Sequence, residues 1–127
     1  MSELLTFRGE TDGTSTTGTF ELSSEMVVGT VEYVVVPKGM KAKIWAKRLV
    51  GKPLDMVVEV TRNISSPTWA EVGRERLVSE GELSLEKRRP MVVRGLTGLD
   101  AFRLRWDQSG FGAGKSYVEV EVEFVEE

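Results

Sequence analysis

Cysteine and histidine are both absent from the 127 residues. Without thiols there is no disulfide framework and no sulfur-ligated metal site. Without imidazole the chain lacks the commonest general base, the commonest metal ligand and the one side chain that titrates near neutral pH. Carboxylates, amines, guanidinia and hydroxyls remain. They argue against a zinc or copper centre and leave room only for an all-oxygen calcium or magnesium site. No cofactor, metal ligand set or catalytic residue is assigned. No apolar run approaches the ~20 residues that span a bilayer, so no membrane role is expected. The opening Met1-Ser2-Glu3-Leu4 has no basic region followed by an apolar one, and no secretory signal is read there.

Amide side chains are almost as scarce, with Asn63 and Gln108 the only two. Charged residues make up 29% of the chain. Loss of Asn, Gln and Cys beside abundant Lys, Arg and Glu is the compositional bias of hyperthermophile proteins. The net charge of -3 is mild and argues against a general nucleic-acid coat.

The length suits one domain, residues 1–127, with a core large enough to need no staples. Its pattern is period two. Val118, Val120, Val122 and Phe124 alternate with Glu119, Glu121 and Glu123. Phe102, Leu104 and Trp106 alternate with Arg103, Arg105 and Asp107. Lys41 to Val50 sets Ala42, Ile44 and Ala46 against Lys41, Lys43, Trp45 and Lys47; Leu54 to Thr61 alternates similarly. Val31 to Val36 is nearly all apolar and reads as a strand buried on both faces or central in its sheet. Weaker strands are expected at Leu4–Arg8, Thr19–Leu22, Arg76–Val78, Glu82–Glu86 and Met91–Arg94. Loops are expected at Asn63–Gly73 and Gln108–Lys115, and 11–18 reads as a flexible loop. No segment of ten residues carries a convincing helical stripe. Eight or nine short strands with turns every 8–12 residues predict an all-β antiparallel sandwich or barrel.

The run Tyr33-Val34-Val35-Val36-Pro37-Lys38-Gly39 followed by Lys41-Ala42-Lys43-Ile44-Trp45, with the later Phe102-Arg103-Leu104-Arg105-Trp106 before a terminal strand, resembles small single jelly-roll domains of viral structural proteins. The resemblance covers roughly residues 30–125 and, with the composition, points to a virus of a hyperthermophile. It implies a jelly-roll-like sandwich whose last two strands lie in opposite sheets. A direct hairpin is the alternative, and it would set Arg103 and Arg105 against Glu119, Glu121 and Glu123.

Four constellations bear on chemistry. Gly110-Phe111-Gly112-Ala113-Gly114-Lys115-Ser116 ends like a phosphate-binding loop, but Ser109 stands where the first glycine belongs and a strand follows instead of a helix. It reads as a glycine-rich connection. Lys38, Lys41, Lys43, Lys47, Arg48 and Lys52 form a basic stripe with Trp45 among them. The stripe either binds phosphates and stacks bases or pairs with an acidic strand such as Glu119–Glu123, and the overall acidity favours pairing. Asp55, Asp100 and Asp107 near strand ends are the only acid/base candidates, and carboxylates there more often cap turns. Trp69 is either a stacking platform for a sugar or a plug at one end of the sandwich.

The expected function is that of a non-enzymatic structural or assembly protein, a virion or particle component in a homo-oligomer or larger assembly, located in the cytoplasm or the virion. Binding of a carbohydrate or other polar ligand is the alternative, with Trp45, Trp69, Lys41, Lys43 and Lys47 as candidate ligand-binding residues. Nucleic-acid binding through the basic stripe stands third.

Overall fold

The computed structural model describes residues 3–22, 33–35, 39–63, 65–77, 91–94 and 101–126. Extended backbone sends successive side chains to opposite faces, so each alternating segment above becomes a strand with one apolar face. The strands are β1 (Glu3–Glu10), β2 (Thr17–Thr19), β3 (Glu21–Leu22), β4 (Val34–Val35), β5 (Met40–Gly51), β6 (Leu54–Thr61), β7 (Ala70–Leu77), β8 (Met91–Arg94), β9 (Ala101–Asp107) and β10 (Ser116–Glu126). Among the described residues, no helix is long and apolar enough to cross a membrane.

Two antiparallel sheets form. The first runs β3-β1-β10-β5-β8 and the second β2-β9-β6-β7, with β4 also pairing with β9. The pairs are nested in sequence: β1 with β10, β2 and β4 with β9, β5 with β8, β6 with β7. Folding that nested hairpin over on itself adds β10 to β5 and β9 to β6. This is jelly-roll topology, with eight strands in the wrap and two-residue β3 and β4 beside it.

The core lies between the sheets. Phe7, Ala42, Ile44, Ala46, Leu49, Val118, Val120, Val122 and Phe124 come from the first sheet. Leu54, Met56, Val58, Leu77, Phe102, Leu104 and Trp106 come from the second. Phe20 sits at the corner where the chain leaves β2 in one sheet and enters β3 in the other, and it is fully buried. Two close approaches need glycine. The Phe20 ring occupies the space where Gly9 would carry a Cβ, and the Trp106 indole does the same at Gly18.

Several expectations change. β10 and β9 lie in opposite sheets, so the direct hairpin is not formed. The apolar run around Val34 is not buried on both faces. Val34 enters the core, but Tyr33 is 40% and Val35 58% exposed, because β4 is a short strand at the margin of its sheet. The stretch read as the loop Asn63–Gly73 ends at Trp69, and β7 takes up Ala70 to Leu77. Its bulge between the partners of Val58 and Glu59 puts Val72 out of phase and hides the alternation. Thr19–Leu22 is two strands, not one. The stretch 11–18 contains the start of β2 and an Asp12-centred turn, in which Thr14 N and Ser15 N donate to Asp12 Oδ1. The strand expected at Glu82–Glu86 lies outside the described residues.

The packing at Gly18 generates a test. A Cβ there lies 2.3 Å from Trp106 Cζ2, so Gly18→Ala is expected to lose about 1–3 kcal/mol of stability in urea unfolding. Gly110→Ala meets open space and is expected to stay within about 0.5 kcal/mol of the parent. Equal stability of all three proteins would contradict the packing.

Candidate functional site

The outer face of the first sheet carries the basic stripe. β5 points Lys41, Lys43, Trp45 and Lys47 outward, and a bulge opposite Glu119 and Val120 turns Arg48 outward as well. The neighbouring β10 points its glutamates the same way. Glu119 pairs in register with Arg8 on one side and Arg48 on the other; Glu121 with Thr6 and Trp45; Glu123 with Lys43. Lys47 Nζ lies 3.1 Å from Glu121, and that carboxylate holds the amine above its ordinary pKa. The acidic strand is thus flanked by cations, and Glu121 itself is buried. Trp45 Nε1 is buried with no hydrogen-bond partner among the described residues.

The outer face of the second sheet is a denser ion-pair lattice. Asp55 and Asp107 are register partners across β6 and β9. Arg74 of β7 reaches both, at 3.1 and 3.0 Å, and also holds Glu71 at 2.9 Å. Arg76 adds a contact to Asp55 at 3.5 Å and stacks over the Phe111 ring at 4.9 Å. Further along, Glu59 takes Arg103 at 2.7 Å and Arg105 at 3.8 Å. Trp69 lies under the Arg103 guanidinium, 4.4 Å from its ring centre, with Tyr33 tilted against it at 6.5 Å. Arg103 and Arg105 therefore pair with β6, not with the glutamates of β10.

One end of the sandwich is closed by buried polar groups. The Gln108 carboxamide is fully buried. Its Nε2 donates to Ser116 Oγ at 3.1 Å and to the Pro53 carbonyl at 3.5 Å, while its Oε1 accepts from Gly114 N at 3.2 Å. Ser116 Oγ donates to the Lys52 carbonyl and Thr11 Oγ1 to that of Gly114. Ser116 N donates to Thr11 Oγ1 at 2.6 Å, and Thr11 N to the Ser116 carbonyl at 3.0 Å. Three connections, β1–β2, β5–β6 and β9–β10, are tied together through side chains that satisfy one another. The glycine-rich stretch is part of this tie and leads directly into β10 at Ser116, so no helix N-terminus is offered to a phosphate.

These placements decide what the candidate residues can do. Trp45 and Trp69 are on opposite outer faces and share no site. Lys41, Lys43 and Lys47 do share a face with Trp45, next to an acidic strand. Asp55 and Asp107 converge, but around a guanidinium. Hydrogen bonds from Ser109, and then from Arg74, hold Asp107 below the ordinary carboxylate range, and Arg74 does the same to Glu71. A general acid needs the opposite shift. Among the described residues, no group of three or more acids is arranged to hold a metal ion. Asp100, and Lys38 of the basic stripe, lie outside the described residues. Sequence reasoning missed the Gln108–Ser116–Thr11 tie and Arg74. The one available signal was that Gln108 is the only glutamine.

The lattice around Arg74 has a defined pH dependence. Glu71 and Asp107 have folded-state pKa values below their unfolded ones, so their contribution is complete above about pH 4.3 and fades as pH falls toward the folded values. Asp12, held at about 2 by the backbone N–H groups of Ser15 and Thr14, loses its contribution last. Arg74→Met is expected to lower stability by about 1 kcal/mol at pH 7 and by less at pH 2.5, below the unfolded-state values of Glu71 and Asp107. Urea midpoints at the two pH values read this directly, and equal losses at both would contradict it.

Comparison with protein-family models, with curated proteins and with solved structures finds no match.

Proposed function

We propose that the protein is a non-enzymatic structural subunit that works by self-association, and that the particle it helps to build is a virion. One observation carries the proposal. The charged groups of the second sheet's outer face are ion-paired within the chain and Lys47 meets Glu121 on the first, while an apolar cluster at the β4 margin is left in solvent. There Tyr33 and Val35 project outward on either side of buried Val34, and Trp69 packs beside Tyr33. Exposed aromatic and branched side chains gathered at a sheet margin are what a second copy would cover.

The long edge strand is an unsuitable place for that contact. β7 carries Glu71, Arg74, Glu75 and Arg76, and the Val72 bulge bends it, both of which oppose strand addition. The jelly-roll topology and the resemblance of Tyr33–Trp45 and Phe102–Trp106 to viral structural domains support the virion as the finer reading. The scarcity of Asn and Gln beside an arginine-rich ion-pair lattice supports a hyperthermophilic host. The protein's place is then the virion, or the cytoplasm where it assembles.

Sedimentation equilibrium from micromolar to millimolar protein tests the proposal. Concentration-dependent assembly is expected, weakened about tenfold or more by Val35→Lys, with closed shells or regular arrays visible by electron microscopy. A strict monomer at the highest concentration overturns it.

A further inference from the structure

Beside the closed end of the sandwich, on the outer face of the first sheet, lies an open groove of about 570 Å³. It is a shallow depression open to solvent and not an enclosed cavity. Glu10, Tyr117 and Val50 form its floor as one row across β1, β10 and β5, because they are register partners. Thr11, Asp12, Gly51, Lys115 and Ser116 line the rest. Both Trp45 and Trp69 are absent from it.

The groove is preformed. Thr11 and Ser116 exchange backbone and side-chain hydrogen bonds below it, and Lys52 N donates to the Lys115 carbonyl at 3.2 Å. Gly51 has a φ of +104° and lies so near Lys115 that a Cβ would come 2.4 Å from its carbonyl oxygen. Only glycine leaves that approach open. Tyr117 is fixed by donating to Glu119 Oε1 at 3.0 Å, so its ring is a set surface and not a swinging one. Val50 beside it is 48% exposed.

Its chemistry is mixed. An aromatic ring and a valine form an apolar floor; Glu10 beside them supplies acceptors; Asp12, whose carboxylate accepts from Thr14 N, Ser15 N and Ser15 Oγ, adds negative charge; Lys115 supplies a donor and makes no ion pair with a described residue. The two carboxylates, Glu10 and Asp12, repel phosphates and nucleic acid. The charged rim disfavours a purely apolar ligand, and Lys115 opposes a simple cation. A neutral polyhydroxylated ring satisfies all three elements, with C–H groups on Tyr117 and Val50 and hydroxyls bridging acceptors and donor. We propose that the Tyr117 groove is a carbohydrate-binding site that takes neutral saccharides. This stands apart from the assembly proposal, since the β4 margin contributes nothing to the groove.

Amide proton–nitrogen NMR spectra of the full chain test it during titration with cellotetraose, maltotetraose, mannotetraose and chitotetraose, each to about 10 mM, a range that detects millimolar binding. At least one sugar is expected to shift the amides of Glu10, Gly51, Lys115 and Tyr117 saturably. Tyr117→Leu, which keeps apolar bulk, should weaken that sugar at least about tenfold, and Glu10→Gln should weaken it less. A spectrum of each variant free of ligand, with the parent's dispersion, separates lost binding from lost folding. Three results overturn the proposal: no shift with any sugar, shifts centred on Trp45 or Trp69, or affinity unchanged by Tyr117→Leu in a folded variant.

Discussion

The register of β10 is the constraint on which the rest of the molecule depends. It is hydrogen-bonded along nearly its whole length to β1 on one side and β5 on the other. Val118, Val120, Val122 and Phe124 face inward only in that register, and Glu119, Glu121 and Glu123 face the cations of β1 and β5 only in that register. A slip of one residue would put three glutamates in the core and four apolar side chains in water. Desolvating those carboxylates without partners would cost more than a domain of this size has in net stability. The alternation therefore fixes the register, and the register fixes which sheet β9 must occupy.

With β10 claimed on both sides, β9 pairs with β6, and its arginines Arg103 and Arg105 both meet Glu59 instead of the terminal glutamates. Each exposed pair contributes little by itself. Their collective effect is on function: much of the charge on the second sheet's outer face is matched within the chain. What distinguishes the surface lies elsewhere, in the apolar β4 margin and in the groove over Tyr117. Gln108 joins the two sheets' loops at the groove end, where a loose connection would blur the site. Its buried amide is satisfied by a hydroxyl and by backbone groups from separate segments, and removing it would take that partner from the Gly114 N–H and the Pro53 carbonyl.

The central strands were legible in the sequence because nothing in them competes with the period-two signal. The alternation of β5, β9 and β10 matches their inward and outward faces, except that the bulge between Ala46 and Arg48 left no trace in the residue types, whereas β6 alternates but buries Val57 and Thr61 as well as Met56 and Val58. Margins were read less well. Tyr33 to Val35 is apolar on both faces, and composition cannot say that one face of such a run is left in solvent. β7 is polar on most positions and loses phase at Val72, so its signal was drowned. Phe20 is a corner residue between two sheets, a role with no local pattern. Candidate sites were legible only as residue types. That Asp55 and Asp107 meet at Arg74, or that Glu10, Tyr117 and Val50 form one row, follows from pairings across 19 to 107 positions of chain, which no local spacing encodes.

The absence of native cysteine makes the decisive pairing open to direct measurement. Register partners in adjacent strands hold their Cβ atoms near disulfide range, whereas residues on the outer faces of opposite sheets are separated by the core. Air oxidation of the double variant Arg8→Cys with Glu119→Cys is expected to give an intramolecular disulfide that survives non-reducing electrophoresis and mass analysis. Arg103→Cys with Glu119→Cys is expected to remain reduced or to link only between molecules. An intramolecular bond in the second variant and none in the first would contradict the account.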